Sequence, residues 1–403
     1  MAQPIRFAVV VASLEPAGTG KPVPEPEFCK ALSVLGARYG IDVYVCSAES
    51  FDQRTGQLSA WRWDKDGWSV KPAALPDIVY DRCFYVAAEQ RFATRRMLQR
   101  MARLKPHRLL GGGLPGKAEV YEALQRNKAI DRYLPPSFNW QASGPTVSEL
   151  LEQYAAGFVL KPSAGMQGRG IIHIARSPQG GNIIAKGRTD ANRCRERQFA
   201  SAAACGRWLS HVTNRAKYIV QPYLELRSED GKPFDVRTLL QKDGAGRWAV
   251  TGSALRCGEA GSLTSNLHGG GNAEPALQAL AAKFGLRKAE HLLQQLHTIS
   301  KQTAAALESG FGRLAELGLD FGIEQDGRIW LLEANSKPGR SSFRLIRDQT
   351  AWRLSAERPL RYAQWMVRRP SSSAISADGI TDQTPYLISG NLKRPFNVQE
   401  VHR

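Results

Sequence analysis

The chain alternates between two hydrophobic periods, and the alternation is clearest at its start. In "IRFAVVVAS" apolar residues follow one another with no polar break, the pattern of a strand buried on both faces. The Pro-rich stretch "EPAGTGKPVPEPE" ends it, and "FCKALSVLGARYG" then carries apolar residues at helical spacing up to a stop at Gly40. "IDVYVCS" and "DIVYDRC" read as further strands. "GQLSAWRWDKDGWSVKP" reads as a hairpin turning at Asp66-Gly67, and "AAEQRFATRRMLQRMARL" as a helix. This order predicts an N-terminal open α/β unit over residues 1–110, closed by the glycine-rich "LLGGGLPGK".

The periods continue beyond it. "AEVYEALQRNKAI" and "TVSELLEQYAAG" are helical, the second capped by Thr146 or Ser148. "FVLKPSAGMQGRGIIHIAR" reads as strand, glycine loop and strand, and "YIVQPYLEL" as a strand. A second unit therefore spans 111–220. A third, 221–369, opens with "FDVRTLLQKDGAGRWAVTGSALRC", a strand pair joined at Asp243-Gly244, and continues with the helices "LQALAAKFG" and "AEHLLQQLHTISKQTAAALESGFG". After the hairpin "GLDFGIEQDGRIWLLEANSKPG", residues 343–369 read as helical, interrupted near Pro359. The Ser- and Pro-bearing stretch 370–403 has weak periodicity and reads as a partly disordered or loosely docked tail. The expected class is α/β, with α+β character in the second and third units.

Composition adds one feature. Of 403 residues, Lys and Arg number 55 and Asp and Glu 37, a net charge of +18, so the chain should attract polyanions. Charge alone does not choose among phosphorylated small molecules, nucleic acid and an anionic coat or cell-wall polymer, and no nucleic-acid-binding motif accompanies it. The six cysteines form no C-x-x-C pattern and read as reduced, mostly buried thiols. The apolar run Phe7–Ala12 is too short for a signal sequence, and no run is long enough for a membrane span, so a cytoplasmic location is expected.

The hairpin carries the chemistry. If Asp326-Gly327 is a two-residue turn, Asp320 lies opposite Glu333, Asn335 shares their face, and Phe321, Ile323, Trp330, Leu332 and Ala334 take the core face. Like charges directly opposite one another destabilise a sheet, and a divalent cation removes the conflict; oxygen donors of this kind suit Mg²⁺, with Mn²⁺ as the alternative. Upstream, Lys161 ends an apolar strand just before a loop whose Gly165, Gly168 and Gly170 expose backbone amides to phosphate.

These residues resemble the last motif of the ATP-grasp superfamily, and "LLEANSKPG" is similar to the D-alanine–D-alanine ligase form of it. "FVLKPSAGMQGRGI" resembles the lysine strand and glycine flap, "YIVQPYLEL" the hinge, and "FDVRTLL" and "SLTSNLHGGG" the corresponding strand and loop of the glutamate-ligase branch. "LPGKAEVYEAL", "QKDGAGRWAVTGSALR" and "LLEANSKPGR" together resemble the YheC/YheD family of endospore coat-associated proteins. The resemblance implies an ATP-grasp fold and an ATP-dependent ligase that joins a small-molecule or peptide carboxylate to an amine through an acyl phosphate. Asp320, Glu333 and Asn335 would hold the metal.

The same resemblance places Lys161 on the α- and β-phosphates and the flap, with Ser163, Gln167 and Gly168, over the β- and γ-phosphates. Lys117, preferred over Lys128, becomes the first nucleotide lysine. Gln221 would read the adenine amine, Tyr223 and Leu224 would offer backbone to the adenine edge, and Glu225 would meet the ribose. Arg237, with Asp235 as its alternative anion, is assigned to the transferring phosphoryl. Arg256 is assigned to the acceptor or acyl phosphate, and Asn266 to a substrate-side loop with Gly269 and Gly270. One departure stands out: where the D-alanine ligase form carries an Arg two residues before the first metal Asp, this chain has Gly318. It keeps open a rival reading, an ATP-binding structural coat protein without turnover.

Overall fold

A computed structural model describes residues 3–15, 22–141, 143–163, 169–178, 180–189, 193–214, 216–228, 230–259, 265 and 271–369. The expectations for the flap residues Gly165, Gln167 and Gly168, for Asn266, Gly269 and Gly270, and for the tail lie outside them.

The first sheet has the strand order β4-β3-β2-β1-β5-β6. Its strands are β1 (Ile5–Val10), β2 (Ile41–Cys46), β3 (Leu58–Asp64), β4 (Gly67–Ala73), β5 (Ile78–Asp81) and β6 (Arg108–Leu109). β1 pairs in parallel with β2 and β5, and Phe7–Val10 are wholly buried because helices cover both faces. Phe7 and Val9 pack under α1 (Pro26–Arg38) and α10 (Gln349–Arg368), while Ala8 and Val10 pack under α2 (Ala88–Leu104). The β3–β4 turn falls at Lys65-Asp66, one residue before the expected pair, since Asp64 faces Gly67.

The second sheet, β11-β10-β9-β8-β12-β7, contains β7 (Phe138–Asn139), β8 (Phe158–Pro162), β9 (Ile172–Arg176), β10 (Ile183–Arg188), β11 (Cys194–Phe199) and β12 (Tyr218–Pro222). One face is closed by α5 (Val147–Gln153) and α6 (Ala202–Thr213). Thr146 caps α5 through a reciprocal pair with Glu149, resolving the choice between Thr146 and Ser148.

The third sheet, β15-β14-β13-β16-β17, is built from β13 (Phe234–Lys242), β14 (Trp248–Cys257), β15 (Asn272–Pro275), β16 (Glu316–Ile323) and β17 (Ile329–Asn335). α3 (Lys117–Gln125), α4 (Lys128–Asp131), α7 (Ala276–Phe284) and α8 (Leu286–Phe311) cover the face formed by Leu317, Leu319, Phe321 and Ile323. Three sheets with helices packed on their faces make a mixed α/β architecture, the expected class. Among the described residues no helix is long and apolar enough to cross a membrane. Cys29, Cys46, Cys83 and Cys205 are buried thiols and Cys194 is exposed.

Pro359 does not interrupt its helix: α10 is continuous through it. A proline there lacks the N–H that would bond the Ser355 carbonyl, and Gln241 Nε2 supplies that bond from β13 at 2.9 Å. Gln241 also donates to Glu316 at 3.1 Å and accepts from Thr251 at 2.8 Å. Gln241→Leu strands the Ser355 carbonyl and should lower stability in urea unfolding by about 1–3 kcal/mol, the usual cost of a buried unmet polar group. A loss within error of zero would overturn this account of the unbroken helix.

Candidate active site

The site rests on the face of the third sheet turned away from α8. Strand register sets it out: Arg237 on β13 lies opposite Asp320 on β16, Asp320 lies opposite Glu333 on β17, and Asp235 lies opposite Arg256 on β14. The Asp320–Glu333 pairing is the one expected, but two deviations produce it. The turn uses three residues, Gln325 to Gly327, with Gly327 at φ +95°, so Ile323 faces Ile329. A bulge between Asp320 and Phe321 then restores the register. Between the two deviations the faces are reversed. Ile329 and Leu331 join the core where Trp330 and Leu332 were expected, and the Leu331 N–H donates to the Tyr133 carbonyl at 2.7 Å. Trp330 is buried on the opposite face of the sheet, its indole donating to Glu324 at 2.9 Å under the Arg328 guanidinium.

Asp320 is buried, and its carboxylate is gripped by two guanidiniums. Arg237 engages it at two points, one of them 2.8 Å long, and Arg256 Nη2 stands 3.1 Å away. Burial alone would raise the Asp320 carboxyl, but Arg237 and Arg256 outweigh it and hold the group below the ordinary carboxylate range. Arg256 in turn makes a bidentate pair with Asp235 at 2.6 and 2.7 Å, and the Ser265 hydroxyl donates to the same Asp235. The anion facing Arg237 is thus Asp320 and not Asp235, a pairing that depends on β13 lying between β14 and β16.

Glu333 is partly exposed and faces Lys117 at the start of α3, Nζ to Oε1 3.4 Å. Asn335 follows on the same face, opposite Gly318. Lys128 begins α4, and the lysine that meets Glu333 is the preferred Lys117, at the start of α3. From the second sheet, Lys161 on β8 donates to Gln221 on β12 at 2.7 Å, and Gln221 donates on to Ser137 at 2.6 Å. Burial first, then the Lys117 charge, depresses the Lys161 ammonium to about 8, against the pull of Glu333. Lys117 N–H donates to the Ser163 carbonyl at 3.3 Å, joining α3 to the strand that carries Lys161. The Ser163 hydroxyl is buried and has no partner among the described residues.

Tyr223 N–H donates to Gly157 at 2.9 Å, and the Tyr223 ring stacks on His173 at 3.9 Å. Leu224 accepts from Leu226 at 2.9 Å, and Glu225 is exposed beside it. A side chain at Gly318 is excluded, because a Cβ there would sit 2.7 Å from Pro338 Cβ. The space beside it is taken by Arg237, whose Nη1 would lie 3.5 Å from that Cβ.

Several residues at the rim carried no signal in strand or helix periodicity. Lys337 pairs with Asp81 at 2.7 Å, and Arg82 bridges Glu25 at 2.7 Å and Glu316 at 3.0 Å. Arg340 closes on Glu316 and meets the Tyr80 hydroxyl at 2.7 Å. The basic letters in "SKPGR" directly after the Glu-x-Asn pair were the available signal.

As donors, Asp320, Glu333 and Asn335 are hard oxygens on one face of adjacent strands, which suits Mg²⁺. Asp320 is already compensated by arginine, so a cation would have to share it.

The depressed Lys161 fixes a sign. Its folded pKa lies below the ordinary 10.5, so the fold disfavours the charged form. The contribution of Lys161 to stability is unfavourable below about 8 and is relieved as pH rises from about 8 toward 10.5. Lys161→Met should therefore be more stable than the parent at pH 7 without nucleotide, and the gap should close by about pH 10, as read by urea unfolding at both values. A gap independent of pH would refute the buried-charge account.

A family model described as YheC/D like ATP-grasp matches residues 107–366. The endospore coat-associated protein YheC of Bacillus subtilis (strain 168) is 29% identical over 308 residues, 76% of this chain and 83% of that protein. YheD of the same organism is 26% identical over 353 residues, 86% of this chain and 75% of that protein. Among solved structures, the D-cycloserine synthetase DcsG aligns with a TM-score of 0.48 and 15% identity over 90% of this chain and 98% of its own. The D-alanine–D-alanine ligase from Coxiella burnetii aligns at 0.47 and 10%, over 90% and 96%.

Proposed function

Because the chain belongs to the YheC/D-like ATP-grasp family, we propose that it is an ATP-dependent carboxylate–amine ligase forming ADP. The observation that carries the reading is the row Arg237–Asp320–Glu333 facing Lys117. Acids for a metal and cations for a polyphosphate stand on one floor.

In this reading Lys117 and Lys161 offset charge on the ATP phosphates, and the unpartnered Ser163 hydroxyl donates to them. Gln221 positions Lys161 instead of reading the base, since its carboxamide is held between Lys161 and Ser137. The Tyr223 carbonyl and the Leu224 N–H remain for the adenine edge, and the exposed Glu225 for the ribose. Gln167 and Gly168 complete the flap. Asp320, Glu333 and Asn335 would hold Mg²⁺, which when bound supplies Lewis-acid charge to the phosphate oxygens.

A substrate carboxylate oxygen attacks the γ-phosphorus. The bond from that phosphorus to the β-bridging oxygen breaks, and ADP departs. Arg237, beside Gly318, stabilises the transferring group. Arg256, with Asn266, orients the acyl phosphate. An amine then attacks the acyl carbon, the carbon–oxygen bond to phosphate breaks, and an amide, phosphate and a proton result. The coat association of YheC and YheD is carried over as a proposal of place.

Stimulated ADP release, screened with amino acids, peptides and peptidoglycan fragments, tests the reaction. Glu333→Gln should abolish Mg²⁺-dependent turnover and weaken Mn²⁺ binding in the presence of a non-hydrolysable nucleotide, with the fold unchanged by circular dichroism. Parent-like turnover with the same Mg²⁺ dependence would remove Glu333 from the metal site. Nucleotide binding without ADP release from any acceptor would favour the structural coat-protein reading.

A second expectation follows from Lys161. A polyphosphate beside it favours the charged ammonium, so nucleotide binding near pH 8 should take up about half a proton. Calorimetry in buffers of differing ionisation enthalpy reads this uptake, and Lys161→Met should abolish it. Equal uptake in the variant would detach Lys161 from the phosphates.

A further inference from the structure

The loop between β5 and α2, together with the first turns of α2, presents apolar surface that no part of the described chain covers. Val86 is 89% exposed, Phe92 64% and Phe84 41%. Arginines frame them: the guanidinium of Arg82 lies 5.2 Å from the Phe84 ring, that of Arg91 5.5 Å from Tyr85, and that of Arg96 5.8 Å from Phe92. α2 carries Arg91, Arg95, Arg96, Arg100 and Arg103 against the single acid Glu89. Solubility accounts for the arginines but not for bare Phe92 and Val86 between them.

The patch continues into the site. Tyr85 lies 5.7 Å from Lys337 Nζ, and Lys337 follows Asn335 by two residues and pairs with Asp81. A ligand lying across Phe92 and Tyr85 would lead toward the Asp320–Glu333 floor.

We propose that this patch docks an acidic polypeptide with interspersed apolar residues, whose Asp or Glu side chains are the carboxylates that the site activates. Guanidinium forks match carboxylates in pairs, and the exposed rings need apolar side chains that a phosphate polymer lacks. Nucleic acid could stack on the rings but offers no carboxylate to the chemistry. The docking stands on the patch alone; that the docked chain is the substrate rests on the ligase reading above.

The test uses the full chain and a fluorescein-labelled peptide of Glu-Glu-Phe repeats, followed by anisotropy without ATP at about 50 mM and about 200 mM salt, a range across which the Debye length contracts below about 10 Å. Saturable binding that weakens but persists at the higher salt is expected. Phe92→Ala with Arg96→Gln should raise the Kd about tenfold or more, as central aromatic and arginine contacts do, while nucleotide affinity stays at the parent value. Equal binding of a Glu-only peptide, no effect of the double change, or displacement by a lower concentration of single-stranded DNA would overturn the proposal. A double variant that sediments as a smaller species than the parent would assign the patch to a second copy of the chain and also overturn it. Peptide binding that stimulates ADP release supports both halves. Binding without ADP release keeps the docking and refutes the substrate role.

Discussion

A buried carboxylate placed directly opposite another carboxylate is the constraint around which the third sheet is arranged. Asp320 is 6% exposed and faces Glu333 across β16 and β17. Without cations this pairing would be unfavourable, and removing one partner of a buried ion pair typically costs about 3–5 kcal/mol. The fold answers with alternating sign. Asp235, Arg256, Asp320 and Arg237 form one chain of ion pairs, and Lys117 meets Glu333 at its other edge. Each side chain has its neighbour because β13 lies between β14 and β16, so strand order itself balances the charge. The same arrangement lines guanidinium and ammonium groups along one face of the sheet.

β16 carries a second buried carboxylate four residues earlier. Glu316 lies between Arg82 and Arg340, with the Tyr80 hydroxyl at 2.6 Å and Gln241 at 3.1 Å. Arg82 also donates to the Pro338 carbonyl at 3.1 Å, and Ser336 accepts from Leu114 N–H at 3.0 Å. Lys337, Pro338 and Arg340 are therefore fastened to β5 and the residues just after it. Separating the first sheet from the third would expose Glu316 and its arginines together, an unfavourable step. The second sheet is linked to this assembly through the 3.3 Å bond from Lys117 N–H to the Ser163 carbonyl. Gln221 and Lys161 lie on adjacent strands of that sheet and are joined at 2.7 Å.

Much of this was legible in local letters, and the remainder was not for physical reasons. Strand and helix periods located the first sheet and the long helices, and Asp-Gly marked both hairpins of the third sheet. Counting from the turn paired Asp320 with Glu333, yet it did so across a three-residue loop and a bulge that cancel. Between those two irregularities the count put Trp330 and Leu332 on the face of Phe321, one residue away from Ile329 and Leu331, although Trp330 is buried all the same. β11 carries no strand signal because "CRERQF" has no apolar alternation and the strand is an exposed edge. The partner of Arg237 was hidden because it depends on strand order, a non-local property. Pro359 looked like a break because the donor that replaces its missing N–H, Gln241, lies 118 positions earlier in the numbering but beside it in space.

Gly318 shows how a departure in one position is absorbed by its surroundings. On β16 the face turned away from the helices runs Glu316, Gly318, Asp320, Gly322, an alternation of acid and glycine. Both glycines are occupied from outside: Pro338 lies where a Cβ at 318 would stand, and Leu226 lies within 2.7 Å of a Cβ at 322. The missing side chains let the segment after β17 and the segment before β13 lie flat on the strand, which brings Pro338 within reach of Arg82 and Arg340. An arginine at 318 would collide with Pro338 and crowd Arg237 away from Asp320. The cation beside position 318 is instead Arg237 of the neighbouring strand, held in register by the acid it neutralises. The glycine at 318 and the presence of Arg237 opposite Asp320 are two sides of one packing solution.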